Sequence, residues 1–193
     1  MTASLLRPAA AEFLRIAGAV SDLAAPTPCA EYDVRALLNH LLYWGPRLVA
    51  AGRREDPPSP GGGEAEAALV TGDWRADLEK QTETLVEVFG TPAAWTGTTA
   101  LGSAPMPSAT VGAMVLDEFV LHGWDLARAS GQQCAYAPEA ATAVYEFAVA
   151  MGDQARSMGV YGPVVAVAAD ASPLERALGA AGRDPAWSCP QVG

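Results

Sequence analysis

The amino-acid sequence predicts an all-α protein, a four-helix bundle with a short extra C-terminal helix and loop-rich connections. Apolar residues recur at helical spacing in long stretches, and clusters of proline and glycine separate these stretches. Almost no segment shows the alternation that is typical of strands. Half of the 193 residues are hydrophobic, which is enough for one sizeable core. We therefore expect a single helical-bundle domain over residues 1–193.

The first two predicted helices lie in the N-terminal quarter of the chain. The first covers residues 3–24 and ends before Pro26, because proline interrupts a helix. The second starts near Asp33, whose side chain is a candidate N-cap, and contains the pair Gly45-Pro46. A proline in a helix interior removes a backbone hydrogen bond, so we expect a kink or an interruption at this pair.

The middle of the chain contains two further predicted helices and the clearest loop. Residues 56–63 are rich in proline and glycine and predict that loop, and a third helix with an apolar stripe follows over 73–89. Residues 91–107 are rich in Gly, Thr, Ser and Pro and allow a short hairpin. Ser108 then caps a fourth helix that ends at Gly131. This helix is apolar on nearly every side, which predicts a central position.

Two more helices are predicted in the C-terminal part. One opens at Pro138 and ends near Gly159. Ser172 and Glu175 form a capping-box pattern with proline between them at the first helical position, so a short helix should run to about residue 181.

Charge and hydropathy exclude several classes of partner. The net charge of −10 and the pI of about 4.5 argue against binding to nucleic acid or an anionic membrane surface, since both require a positive protein surface. No segment is long and apolar enough to span a bilayer, and the N-terminus is unlike a signal peptide. We expect a cytoplasmic protein with a small-molecule partner, either a monomer or a homodimer.

The cysteines indicate a reducing compartment. Cys29, Cys134 and Cys189 are odd in number, widely spaced and form no CxxC pair, so neither a disulfide framework nor a thiolate zinc site is indicated. Cys29 would need a histidine to activate it as a nucleophile. If both histidines of the chain bind metal, none is left, and we expect an ordinary thiol at this position.

The two histidines of the chain give the main functional signal. Glu118 and His122 are spaced i,i+4 on the fourth helix, so both side chains lie on one face. His40 lies on the apolar stripe of the second helix, and tertiary packing could bring it opposite this pair. The three residues predict a metal site with an open position. Two imidazoles and one carboxylate suit Zn²⁺ best and also accept Ni²⁺, Fe²⁺ or Mn²⁺.

Simpler interpretations of these residues remain open. A histidine on an apolar face can be a hydrogen-bonded core residue, and His122 with Glu118 can be a buried ion pair. The position of Glu118 on an apolar stripe favours metal, because a buried carboxylate needs a counter-charge. No lysine or arginine of the same helix shares its stripe.

Four neighbouring residues complete the predicted site. Asp125 follows His122 by three positions and would orient a ligand or contact substrate, or it would simply be a solvated surface residue. Arg128 would bind a substrate carboxylate or stabilise the helix C-terminus. We predict Asp125 and Arg128 as catalytic residues. Asn39, beside His40, and Trp124 are predicted to contact a cofactor.

Several segments also resemble a known family. The residues Thr27-Pro28-Cys29, the stretch 33–41 and the stretch 118–129 resemble the DinB/YfiT-like metal-binding superfamily, in particular the branch related to the mycothiol-dependent maleylpyruvate isomerase N-terminal domain. The tail over 170–187 is also similar to that branch. The resemblance implies a four-helix bundle and metal ligands at His40, Glu118 and His122. It also implies zinc and, in several members, a thiol cofactor such as mycothiol.

Three functions are compatible with these patterns. The first is a metal-dependent enzyme that transfers or isomerises a small molecule, with mycothiol held as a metal thiolate. The isomerase itself is not expected, because this chain ends near the bundle without the additional C-terminal domain. The second is a thiol-independent enzyme of secondary metabolism that cyclises, isomerises or hydrolyses its substrate. The third is a non-catalytic bundle that binds a metal or another ligand.

Overall fold

The computed structural model describes residues 3–58, 62–102 and 104–189, and these are mostly helical, as the sequence predicts. The helices are listed here in chain order: α1 Leu6–Gly18, α2 Val34–Arg53, α3 Trp74–Phe89, α4 Ser108–Asp117, α5 Gly123–Ala129, α6 Pro138–Ser157 and α7 Pro173–Ala180. A single π-helical turn, Glu118–His122, joins α4 to α5. Short 3₁₀ turns occur at Ala3–Leu5, Glu64–Glu66 and Pro92–Trp95.

The predicted hairpin is present and small. Strands β1, Thr98–Leu101, and β2, Ala104–Pro107, pair antiparallel, with Thr98 opposite Pro107. Three residues of the predicted loop over 56–63, namely 59–61, lie outside the described part of the chain.

The helices pack around one hydrophobic core. Helix α3 lies against α1 and α2, the α4–α5 segment lies against α1 and α2, and α6 and α7 pack on each other, with α6 also contacting α4. Phe13 of α1 is 1% exposed and stacks on Phe119 of the π turn, with ring centroids 5.4 Å apart. This arrangement sets one face of α2 opposite the π turn and thereby positions the site described below.

Helix α1 is shorter than predicted. It ends at Gly18, whereas apolar spacing indicated a helix to residue 24. The Asp22 carboxylate accepts a hydrogen bond from the backbone N–H of Ala24 at 2.9 Å. Such a local turn competes with the helical hydrogen-bond pattern. Val20 is buried beyond the end of the helix, at a spacing that continues the apolar stripe of α1.

Helix α2 passes through Gly45-Pro46 without a break, so of the expected kink or interruption the interruption is wrong. Pro46 removes one backbone donor from the helix. In a regular α-helix, the N–H of residue 46 would donate to the carbonyl of Leu42. Gln81 of α3 donates from Nε2 to the preceding carbonyl, that of Leu41, at 2.8 Å. A Cβ at Gly45 would lie 1.8 Å from this Nε2 atom, so the glycine makes the contact possible.

The fourth predicted helix also differs in detail. Its backbone is helical from 108 to 129, but the π turn interrupts the α-helical pattern at its centre. Ser108 is the first helical residue rather than the cap, and Pro107 occupies the N-cap position. The segment is largely buried, which confirms the predicted central position.

The remaining helix boundaries agree with the predictions to within two residues. Asp73 caps α3 by accepting from the N–H of Ala76, and Ser172 and Glu175 form the predicted capping box of α7. Helix α6 begins at Pro138 as predicted. Among the described residues, no helix has the length and apolarity needed to cross a membrane.

The N-cap of α2, the helix that carries His40, should contribute to the stability of the protein. The Asp33 carboxylate accepts from the N–H of Ala36 at 2.8 Å. We expect Asp33→Ala to lower the free energy of unfolding by about 1 kcal/mol, because a helix N–H loses its acceptor. Asp33→Asn keeps an acceptor and should stay close to the parent. Urea unfolding followed by circular dichroism measures both, and equal stability of the alanine variant and the parent would contradict the assignment.

Candidate functional site

Three half-buried side chains from two helical segments of the bundle converge. Nε2 of His40 lies 3.5 Å from Oε2 of Glu118, and Nε2 of His122 lies 3.6 Å from the same oxygen. One potential ligand atom from each of the three residues lies within 4.8 Å of the others. The structure therefore brings together the three residues that the helical spacing selected. We refer to His40, Glu118 and His122 as the triad.

The π turn supplies two members of the triad. Glu118 is its first residue and His122 its last, and π turns are rare features that concentrate at functional sites. In an α-helix the carbonyl of Phe119 would accept from Gly123, but the Gly123 N–H pairs with Val120 instead. The hydroxyl of Tyr136 donates to the Phe119 carbonyl at 2.6 Å and satisfies it. A Cβ at Gly123 would lie 1.8 Å from that hydroxyl oxygen, so the contact with Tyr136 requires glycine there.

Two atoms at the centre of the triad are buried without a hydrogen-bond partner among the described residues. They are Nε2 of His40 and Oε2 of Glu118. Their separation of 3.5 Å is too long for a good hydrogen bond, and leaving such atoms unsatisfied costs about 1–3 kcal/mol each. Two imidazole nitrogens and one carboxylate oxygen are a donor set that fits Zn²⁺. The residues present thus fit the metal that the sequence predicts.

The other ring nitrogen of each histidine contacts a carboxylate. Nδ1 of His122 lies 3.0 Å from Oδ2 of Asp125, and Nδ1 of His40 lies 3.0 Å from Oε1 of Glu64. In a neutral imidazole, a carboxylate at Nδ1 favours a proton on that nitrogen and leaves Nε2 with its lone pair. Both Nε2 atoms lie close to Glu118, so each ring presents Nε2 to the same carboxylate oxygen.

Electrostatics within the triad favour a charged Glu118. Burial alone raises the pKa of Glu118, but the neighbouring His122 and His40 outweigh burial and hold this pKa well below its usual range. For His40, burial lowers the pKa, and the carboxylates of Glu118 and Glu64 outweigh burial and raise it. A cation that binds here must displace the proton of His40, so its binding competes with protonation.

Asp125 is not a surface residue, so that interpretation of its position is wrong. Its side chain is fully buried and forms a bidentate ion pair with Arg183, which is itself 5% exposed. The guanidinium donates from Nε to Oδ1 at 3.1 Å and from Nη2 to Oδ2 at 2.9 Å. Asp125 therefore connects His122 to the C-terminal segment that carries Arg183.

Arg128 and Trp124 do not join the triad. The Arg128 guanidinium donates from Nε to the backbone carbonyl of Trp187 at 2.8 Å and lies 6.0 Å from the centre of the Trp124 ring. Trp124 is buried in the core. Arg128 thus anchors the C-terminal segment to α5.

Asn39 lies beside the site without touching the triad. Its Nδ2 donates to the backbone carbonyl of Glu64 at 3.1 Å, and its Oδ1 accepts from the N–H of Leu69 at 2.8 Å. Asn39 therefore holds the segment that presents Glu64 to His40.

Cys29 lies close to the other side of His122. One potential ligand atom from each of Cys29, His122 and Asp125 lies within 4.8 Å of the others. Burial raises the pKa of the Cys29 thiol to about 11, so it is neutral at physiological pH. This agrees with the expectation of an ordinary thiol.

Sequence reasoning missed Glu64 and Arg183. Glu64 follows a loop of irregular sequence, where no periodicity indicates which side chain points inward. Arg183 belongs to the tail that resembles the family, and its Gly182-Arg183-Asp184 sequence was the available signal. Only the folded structure brings these residues to the histidines.

The chain was also compared with known proteins. The family model described as "Mycothiol maleylpyruvate isomerase N-terminal domain" matches residues 6–127, which is more than half of the chain and includes the whole triad. No curated protein and no solved structure matches the chain.

The ion pair between Asp125 and Arg183 should be important for folding. Arg183→Met should lower the free energy of unfolding by about 3–5 kcal/mol, because it leaves the buried Asp125 carboxylate without its counter-charge. Arg183→Lys retains the charge and should be less destabilised. Chemical denaturation of the two variants and the parent measures the effect. A loss below about 1 kcal/mol in Arg183→Met would show that other groups compensate the charge.

Proposed function

This chain belongs to the mycothiol maleylpyruvate isomerase N-terminal domain family, within the DinB-like superfamily, and we propose that it is a metal-dependent enzyme acting on an electrophilic small molecule. The co-substrate is a low-molecular-weight thiol, with mycothiol the first candidate, and the reaction is a transfer or an isomerisation. The observation that carries the proposal is the pair of buried, unpartnered atoms, Nε2 of His40 and Oε2 of Glu118, beside Nε2 of His122.

The triad would hold the metal. His40, Glu118 and His122 supply nitrogen and oxygen donors that suit Zn²⁺ best, with Ni²⁺, Fe²⁺ and Mn²⁺ as further candidates. When bound, the metal would lower the pKa of a thiol at its open position, so that the thiol could react as a thiolate at neutral pH.

The surrounding residues prepare the triad for this role. Glu118 stays ionised because both histidines lower its pKa. Asp125 accepts the Nδ1 proton of His122 and directs Nε2 towards Glu118, and Arg183 neutralises the buried Asp125. We therefore propose Asp125 as a positioning residue rather than one that contacts substrate.

The other predicted site residues have structural roles in this proposal. Arg128 anchors the C-terminal segment through the carbonyl of Trp187, and Asn39 anchors the backbone of Glu64. Trp124 contributes to the core. None of the three touches a triad atom through a hydrogen bond among the described residues, so selection of the electrophile must depend on other groups at the mouth of the bundle.

Metal binding is the first test of this function. After incubation with zinc and desalting, we expect about one metal ion per chain in the parent and none in the His40→Ala, His122→Ala double variant, because two of three ligands are lost. Elemental analysis measures both. Glu118→Gln should also lose metal, whereas Glu146→Gln, the same change on an exposed position of α6, should not. A parent without metal after reconstitution would make the triad a buried polar cluster.

Thiol dependence is the second test. Calorimetric titration should show mycothiol binding to the zinc-loaded parent and binding at least about tenfold weaker to the metal-stripped protein, because the sulfur loses its partner. S-methylated mycothiol is the matched control and should bind weakly to both forms. Equal binding of the free and methylated compounds would favour a thiol-independent enzyme. Absence of turnover with every electrophile despite stoichiometric metal would favour a non-catalytic binding bundle.

A further inference from the structure

We propose that Glu64 is a positioning residue for the metal centre: it holds the His40 ring with its proton on Nδ1, so that Nε2 is left to bind the metal. This inference rests on the proposed function and adds a residue to it. Glu64 lies on the 3₁₀ turn Glu64–Glu66, 24 residues away from His40 in sequence.

The Glu64 carboxylate is fixed by three side chains. Oε1 lies 3.0 Å from Nδ1 of His40 and accepts from the hydroxyl of Tyr32 at 3.0 Å. Oε2 accepts from Nε1 of Trp44 at 2.7 Å. Tyr32 and Trp44 are neutral donors, so they orient the carboxylate without cancelling its charge.

No arginine or lysine in the described part of the chain forms an ion pair with Glu64. This distinguishes it from Asp125, whose charge is balanced by Arg183. His40 is therefore the only described side chain in an ion pair with Glu64, and the charge of this carboxylate acts mainly on the imidazole.

The backbone of Glu64 is fastened to the helix that carries His40. Asn39, the residue before His40, donates to the Glu64 carbonyl at 3.1 Å. Its oxygen accepts from the N–H of Leu69 further along the same segment. The position of the carboxylate is thereby set relative to α2, and the ring and its acceptor move together.

The geometry separates this role from that of a metal ligand. Glu64 contacts Nδ1 of His40, whereas Glu118 faces Nε2 on the opposite edge of the ring. The cluster of potential ligand atoms around His40 accordingly contains Glu118 and His122 but not Glu64. The contact of a ligating histidine with a carboxylate at its second nitrogen fixes the ring and increases its basicity.

Glu64→Gln is the informative change because it keeps the size and shape of the side chain. A carboxylate accepts through both oxygens, whereas an amide accepts through one atom and donates through the other. Trp44 can only donate, so it should take the amide oxygen and turn the amide NH₂ towards His40. The NH₂ group would then favour a lone pair on Nδ1 and a proton on Nε2, where the metal should bind.

The experiment compares the parent, Glu64→Gln and Glu66→Gln. Glu66 lies on the same turn and is exposed, and its carboxylate accepts from the N–H of Gly63, so it controls for loss of charge from the segment. Zinc affinity is measured by competition with a chromogenic chelator. Imidazole N–H resonances are recorded by NMR at saturating zinc, and circular dichroism checks the fold. Because the chain has only two histidines, the spectrum should be simple to assign.

We expect zinc affinity to fall about tenfold to hundredfold in Glu64→Gln. The His40 N–H resonance should shift or disappear, and the His122 resonance should stay, because Asp125 is unchanged. Glu66→Gln should match the parent in both measurements. Should Glu64→Gln not fold, Tyr32→Phe should give smaller changes of the same kind, because it removes a hydroxyl that donates to the same carboxylate oxygen and lies 3.3 Å from Nδ1 of His40.

Several outcomes would overturn the inference. These are parental affinity in Glu64→Gln, equal weakening in Glu66→Gln, or a change in only one of the two measurements. If the parent itself binds no zinc, the proposed function fails and the inference fails with it. That result is distinguishable, because it is seen before any variant is compared.

Discussion

The carboxylate of Glu118 is the constraint on which the rest of the site depends. Its side chain is 24% exposed at the edge of a hydrophobic core, and both histidines of the chain approach the same oxygen atom. A buried charge of this kind is costly unless it is balanced, so the surrounding chain must deliver its partners accurately. The π turn positions His122, and helix α2 positions His40. A further carboxylate contacts Nδ1 of each ring, Asp125 at His122 and Glu64 at His40.

Much of the fold follows from local sequence. Periodicity and capping residues predicted α2, α3, α6 and α7 closely, because these elements are determined by interactions within a few residues. The errors arose where tertiary contacts decide. Helix α2 continues past Pro46 where Gln81 of another helix donates to the Leu41 carbonyl, and the π turn leaves the Phe119 carbonyl to Tyr136 beyond α5. The end of α1 was predicted too late, because the buried Val20 continues the apolar pattern after the helix has ended.

The candidate site, like the fold, could be predicted where local spacing determines it. Glu118 and His122 were found from spacing, and His40 from its apolar stripe, and the structure brings the three together. Their role as metal ligands stays a prediction. Glu64 and Arg183 could not be found from local patterns, because each reaches a histidine or its partner across a long sequence separation and from a loop or tail. Long-range contacts of polar side chains leave no periodic signal in a sequence.

The π turn also restricts how the length of this protein can vary in evolution. A π turn holds one residue more than an α-helical turn, so deleting one residue between 118 and 122 would restore a regular α-helix and leave α4 and α5 in nearly the same relative rotation. The same deletion would shorten the spacing from Glu118 to His122, which are the first and last residues of the turn and lie together in the triad. A gap in an alignment of relatives should therefore not fall between these two residues, whereas the loop over 56–63 can accept insertions. The helix centre, rather than any single side chain, is the fixed reference point for comparing such sequences.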